Sequence, residues 1–317
     1  SCLYRVMASS VRIFGIRASC DVCHQKEEAG TVFQVDQFES VFRSALHDPF
    51  ELLLPTAESM LVVTDLAQDE ANAFAARVGA FLGKTSLCDA PAVHAVSGEA
   101  FSSTTKLLEL VDASDTDLIC TYRNLHSEAW RYPHSLGEYL DVLLQRTDVP
   151  VLVLPHPGAD YAADHALQGA DVVMAVTDHL EQEHRLVNYA AALVQPGGTL
   201  WLAHVESRRT FDRYLDAISK IPTIDTEDAR RRMEERLLKD AHAYVNTCAA
   251  RLAQGGVNLQ VQSLVEFGDH LAEYQRYVET YRVDLLVMNT KDEDQLAMHG
   301  LAYPLAVELR QIPLLML

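Results

Sequence analysis

No stretch of this sequence approaches the roughly twenty uninterrupted apolar residues that a membrane-spanning helix needs. Basic charge is also scarce: 26 Lys and Arg stand against 45 Asp and Glu, for a formal net charge of -19. A surface this acidic repels phosphate backbones and anionic head groups, so neither nucleic acid nor a membrane surface is an expected partner. Cysteine is thinly spread: of Cys2, Cys20, Cys23, Cys88, Cys120 and Cys248, only Cys20 and Cys23 are close together. That usage suits a reducing cytoplasm, which is the expected location, better than a disulfide scaffold. Cys120 and Cys248 read as small buried hydrophobes. The opening SCLYRVMASSVRIFGIR has arginines at 5, 12 and 17 and no long apolar core, which is not a signal-peptide pattern. Catalytic signatures are missing too. There is no nucleophile elbow, no H-E-x-x-H and no carboxylate pair at a catalytic spacing, so nothing marks the chain as an enzyme.

What is present is 317 residues, 49% of them hydrophobic, enough for two cores of common domain size. Residues 1–55 form an N-terminal extension with no clear periodicity. Order begins at SMLVVTD, a short apolar strand ending in Thr64 and Asp65, which read as the cap of the following helix AQDEANAFAARVGAFLG. AVHAVSG, helical STTKLLELVDAS, strand DLIC, helical LGEYLDVLLQRTD and strand VPVLVLP complete a first half over 56–157. A second half, 168–317, repeats the order. DVVMAVTD ends in Thr177 and Asp178, and TLWLAHVE is a buried strand. A long amphipathic helix, TEDARRRMEERLLKDAHAYVNTCAARLAQGG, precedes the alternating strand NLQVQSLVEFG. Helical DHLAEYQRYVETY, strand VDLLVMN, helical PLAVELRQI and strand PLLML follow. Strands alternating with helices predict an α/β fold of two tandem doubly wound parallel sheets. Thr64-Asp65 and Thr177-Asp178 would then lie at the carboxyl edges, where such sheets bind ligands.

The succession strand-TD, helix, LAHVE, long helix, EFGD, helix, VDLLVMN, helix, IPLLML resembles the universal stress protein family. Both halves carry it, over 58–156 and 170–317, so the chain looks like a tandem member of that family, with an adenine nucleotide alpha hydrolase-like fold. The first copy is abbreviated. Asp65 precedes Asp117 by 52 residues while Asp178 precedes Asp284 by 106, a difference of about one strand and one long helix. VRIFGI near the N-terminus is a candidate to complete the first sheet.

The resemblance implies a glycine loop after the fourth strand, G-x-x-G, nine residues, then G and a hydroxyl residue, whose amides cradle ATP phosphates. Here that loop is altered. In the second half Asn289 and Asp292 occupy the first two glycine positions, Thr290 lies between them, and Gly300 keeps the third but is followed by Leu301. In the first half Tyr122 and Leu125 replace the glycines, and Gly137 is followed by Glu138. Asp292 and Glu138 would face a triphosphate, and like charges in a partly desolvated site are costly. ATP is therefore not expected by the family's mode. Asp65 and Asp178 match the residue that contacts the nucleoside, and Val205, after His204, matches the residue beside the base, so a different small ligand remains open. Trp130 and Tyr132, in EAWRYPHS, read as a plug of the first crevice in preference to a lid on a planar ligand.

One motif stands outside the resemblance. CDVCH has the spacing of a c-type haem attachment site, and Cys20, Cys23 and His24 are also three zinc-ligand types. No second ligand pair at a defined spacing follows. His179 and His184, five apart, fall on different helix faces, and His204 reads as a satisfied interior residue. The expected function is a cytoplasmic tandem stress protein without a cofactor. It would act as sensor or adaptor through protein partners or an unidentified small molecule. The last strands VPVLVLP and IPLLML would pair within the chain as a pseudo-dimer, or between chains in a homodimer. Two alternatives are a zinc- or haem-binding protein working through residues 1–55, and a nucleotide-binding protein with slow ATPase activity through a rebuilt loop.

Overall fold

Nine strands of the computed structural model, which describes residues 50–177, 184–290 and 300–317, lie in one sheet. They are β1 (Ser59–Val63), β2 (Ala92–Val96), β3 (Leu118–Tyr122), β4 (Val151–Leu154), β5 (Val172–Thr177), β6 (Thr199–Ser207), β7 (Gln260–Gly268), β8 (Leu285–Met288) and β9 (Leu314–Met316). Their spatial order is β2-β1-β3-β4-β9-β8-β5-β6-β7. Every neighbouring pair is parallel except β4 and β9, which run antiparallel through Val151↔Met316, Leu152↔Leu315 and Val153↔Leu314. The central strands are VLVL, LLVM and LLM, buried throughout, as parallel strands covered on both faces must be.

The eight α-helices among the described residues are α1 (Gln68–Leu82), α2 (Thr104–Asp112), α3 (Glu138–Arg146), α4 (His184–Leu193), α5 (Arg208–Ser219), α6 (Thr226–Gln254), α7 (His270–Thr280) and α8 (Ala302–Glu308). Most follow from apolar periodicity: α1 buries Phe74, Val78 and Phe81, and α6 buries Ala241, Val245, Cys248 and Leu252. Helix α5 is absent from the sequence reading. It buries only Phe211 and Leu215 in an otherwise polar stretch, and its start depends on Ser207, whose hydroxyl accepts the Thr210 N–H at 3.2 Å.

The order on the two sides of the β4–β9 seam corresponds strand for strand, and one hydrogen-bond device recurs. Asp117, just before β3, accepts the Glu58 and Ser59 N–H groups, each at 2.9 Å, at the start of β1. Asp284, just before β8, accepts the Val172 N–H at 2.8 Å at the start of β5. The difference lies at the outer edges. β6 is followed by β7 and α6, whereas β2 is the edge strand among the described residues, with Ala92, Val93 and His94 exposed. VRIFGI lies outside the described residues.

Further contacts join the sides. The extended segment from Phe50 crosses onto α4, where Asn188 accepts the Leu53 N–H at 3.1 Å and donates to the Glu51 carbonyl at 2.9 Å. Phe50 is buried and its ring stacks on His184. Arg123, after β3, donates to the Ala306 and Leu309 carbonyls at 2.7 and 2.9 Å, closing the C-terminal turn of α8.

Candidate functional site

The first candidate site is the carboxyl edge where β1 and β3 end. Thr64 is fully buried, and its hydroxyl donates to the Val96 carbonyl at 3.0 Å, tying the ends of β1 and β2 together. Asp65 does not cap the next helix as expected. The N-cap position of α1 is Ala67, with no side-chain capping bond. The Asp65 carboxylate turns inward instead: one oxygen accepts the Tyr122 hydroxyl, and the other accepts the His126 N–H at 2.7 Å. The Asp65 N–H in turn donates to the Tyr122 oxygen at 3.1 Å. A carboxylate with both oxygens engaged by its own chain has exchanged a water or ligand contact for internal ones.

Tyr122, which stands where the glycine loop would begin, fills the crevice. It is fully buried, and its phenol is pushed far above its ordinary range, first by burial and then by the bond to Asp65. His156 packs edge-on against it at 4.7 Å, and Trp130 stacks on His156 at 4.1 Å with the rings 7° apart. The Arg131 guanidinium closes the stack at 4.8 Å from the Trp130 ring. Burial holds the His156 imidazole below its ordinary value, outweighing the pull of Asp65 and Glu128. Leu125, at the second glycine position, is buried. Tyr132 is 59% exposed and stacks on His134, so Trp130 and not Tyr132 belongs to the filling.

Gly137 keeps a purpose without phosphates. Its φ is +89°, and a Cβ there would stand 2.7 Å from the Asn124 Cα. The close approach lets Asn124 donate its N–H to the Leu136 carbonyl at 2.8 Å as the loop turns into α3.

In the second half, Thr177 ends β5, and Asp178 and Asp292 lie outside the described residues. Asn289 is half-buried and hydrogen-bonded or otherwise engaged. Thr290 is buried, and both its N–H and its hydroxyl donate to the Leu317 carbonyl, at 2.8 and 2.6 Å, so it anchors the chain end. Gly300 stands in a turn before α8 with open space where a Cβ would go. Val205 is 2% exposed within β6. His204 is interior, as its pattern suggested, with its Nε2 3.1 Å from a Glu206 oxygen. Next to β6, Glu266 of β7 accepts the Tyr277 hydroxyl and an Arg276 N–H from α7. Burial, then the Glu266 bond, raises the Tyr277 phenol. Tyr122 was read only as a lost glycine, and His126 and His156 were not singled out. Their signal was the run of aromatic and histidine residues after a strand that should end in glycine. Cys20, Cys23 and His24 lie outside the described residues. Among the described residues no three metal-ligating side chains cluster, and no helix is long and apolar enough to cross a membrane.

These features can be set beside known proteins. Residues 169–299 match the model of the universal stress protein family. The match falls in the second half alone, on the half that keeps the edge strand and long helix. No curated protein matches the sequence. Among solved structures the chain is similar to a functionally unknown protein from Pseudomonas aeruginosa, at 16% identity and a TM-score of 0.47, with 82% of this chain and 92% of that one covered. It is also similar to a universal stress protein from Archaeoglobus fulgidus, at 12% identity and a TM-score of 0.49, covering 84% and 97%.

Proposed function

We propose that the chain is a tandem protein of the universal stress type in which the first half is a structural copy and the second half carries the contacts that matter for activity. Its role is that of a stress-response sensor or adaptor, acting through protein partners or a small ligand and not through ATP held in a glycine loop. The observation that carries this reading is the filled first crevice, where Tyr122 and the His126 N–H consume Asp65 beneath the stacked His156 and Trp130. The strand-for-strand correspondence about the β4–β9 seam, and the matching roles of Asp117 and Asp284, support the tandem part. The acidic positions Glu138 and Asp292 support the exclusion of triphosphate.

The test is equilibrium dialysis of the full chain against 14C-labelled ATP with magnesium, at ligand concentrations up to about 1 mM. The reading predicts no retained label, since about −4 kcal/mol of binding energy would be needed at that concentration. Saturable retention of ATP would overturn it and favour the nucleotide-binding alternative. Native mass spectrometry of the same preparation addresses CDVCH: a zinc or haem adduct would assign activity to residues 1–55 and displace the adaptor reading.

A further inference from the structure

Among the described residues the sheet has two outer edges, β2 and β7, because β4 and β9 pair with each other at its middle. The last strands of the two halves, which could otherwise join separate chains, are thus consumed within one chain. An edge strand carries a row of unpaired N–H and C=O groups, and proteins usually blunt it with lysine, proline or shortness. Edge β7, QVQSLVEFG, has none of these. It runs nine residues, of which Gln260, Gln262 and Ser263 are exposed and the rest half-buried. Its one charged residue, Glu266, is engaged on the α7 side, where Oε1 accepts both the Tyr277 hydroxyl and an Arg276 N–H.

The register on β6 decides which backbone groups of β7 point outward. The Gln260 N–H donates to the Gly198 carbonyl at 2.8 Å, and the parallel pairing runs unbroken from Thr199↔Gln260 to Ser207↔Gly268. Successive residues of a strand aim their N–H and C=O groups at opposite neighbours. Gln260 and every second residue after it therefore face β6, while Val261, Ser263, Val265 and Phe267 hold theirs outward. On β2 the Ala92 N–H likewise faces inward, to the Glu58 carbonyl at 2.8 Å, which leaves only Val93 and Ala95 outward. The longer edge is the one with the more to satisfy.

We propose that β7 pairs antiparallel with β7 of a second copy of this chain, about a two-fold axis at Leu264. Val261 then stands opposite the partner's Phe267, and Ser263 opposite the partner's Val265. Each such pair exchanges two hydrogen bonds, so every outward group of both strands is satisfied. Moving the axis one residue either way strands one outward residue on each copy. The side chains suit the same register. Val261, Val265 and Phe267 share one face, where the Phe211 ring of α5 lies 4.9 Å from that of Phe267, so pairing extends an apolar row across both copies. On the opposite face the exposed Gln262 amide meets the partner's Glu266, a carboxylate that accepts through Oε1 alone among the described residues. Leu264 meets its own copy, and no two charges of one sign face each other across the pair. The inference stands whichever ligand or partner the second half takes.

The experiment is analytical ultracentrifugation of the full chain, 35.3 kDa as a monomer, from about 1 to 100 µM. A monomer–dimer equilibrium is expected. A monomer at every concentration leaves the edge to a strand of another protein and overturns the proposal. Gln262 is exposed, so substitutions there keep the fold. Gln262→Lys sets a cation opposite the partner's Glu266 twice in each dimer and is expected to lower the dimer Kd about three- to tenfold. Gln262→Glu sets a like charge there and is expected to raise the Kd by as much. Ser263→Pro removes one outward N–H from each strand and none of the bonds to β6, and is expected to weaken the dimer by at least about tenfold. A dimer whose Kd does not separate the two Gln262 variants, or that survives Ser263→Pro unchanged, uses another surface and also overturns the proposal.

Discussion

The loops after β3 and after β8 occupy corresponding places on the two sides of one seam, and they are built differently. On the first side, Tyr122 begins the loop as a buried aromatic that holds Asp65 and supports His156 and Trp130. On the second, Asn289 and Thr290 begin it, and Thr290 ties down the chain end at Leu317. The same contrast appears at the outer edges, where β2 has five residues and, among the described residues, no strand beyond it, while β6 and β7 have nine each. The side that, among the described residues, has no counterpart of β7 and α6 is the side whose crevice is filled. A smaller unit buries a smaller fraction of its surface, and an aromatic cluster in place of a ligand crevice restores part of the lost apolar burial. A ligand site and a self-sufficient core compete for the same space, and here the core has taken it on one side.

That contrast can be broken most forcefully at its centre. Tyr122→Ala opens a cavity and leaves Asp65 without its hydroxyl donor, and should cost about 3–5 kcal/mol in urea unfolding. Asn289→Ala at the corresponding, half-buried place should cost about 1 kcal/mol, the usual size for a single substitution; equal losses would erase the distinction. The two loop glycines give a second pair. Gly137→Ala forces a side chain to a φ of +89° against the Asn124 backbone and should cost about 1–3 kcal/mol. Gly300→Ala places its methyl in open space and should stay within about 0.5 kcal/mol. Asn188→Ala releases both backbone contacts of the segment from Glu51 to Leu53 and should cost about 1–2 kcal/mol, read as earlier proteolysis before β1.

The smallest effect concerns pH. Burial lowers the folded His156 value from the ordinary 6.5, so the folded state prefers the neutral ring. Its contribution to stability is present above 6.5, and it is lost as the pH falls below 6.5 and through the lower folded value, because the unfolded chain takes up the proton first. The melting temperature of the wild type should fall between pH 7.5 and 5.5, and less of that fall should remain in His156→Gln. An identical slope in both would show that the Trp130–His156 stack does not exclude the imidazolium.

Much of this architecture was legible in the sequence because the strands are buried on both faces and read as unbroken apolar runs, as in VLVL and LLVM. Their alternation with amphipathic helices carried the α/β assignment. Helix α5 escaped because two buried residues make no stripe. The site was less legible. Asp65 at a strand end beside a helix looks like a cap in any local reading, and only the three-dimensional proximity of Tyr122, 57 residues away, shows where the carboxylate goes. Arg123 was invisible for the same reason: its partners, Ala306 and Leu309, belong to the other side of the seam.

The most direct test of the asymmetry is the number of small ligands one chain can hold. Native mass spectrometry with adenosine or AMP, titrated to about 1 mM, counts them without assuming which site is used. The filled crevice predicts the bare chain and at most a single adduct at every concentration. A saturable second adduct, retained when the second half is blocked, would contradict it.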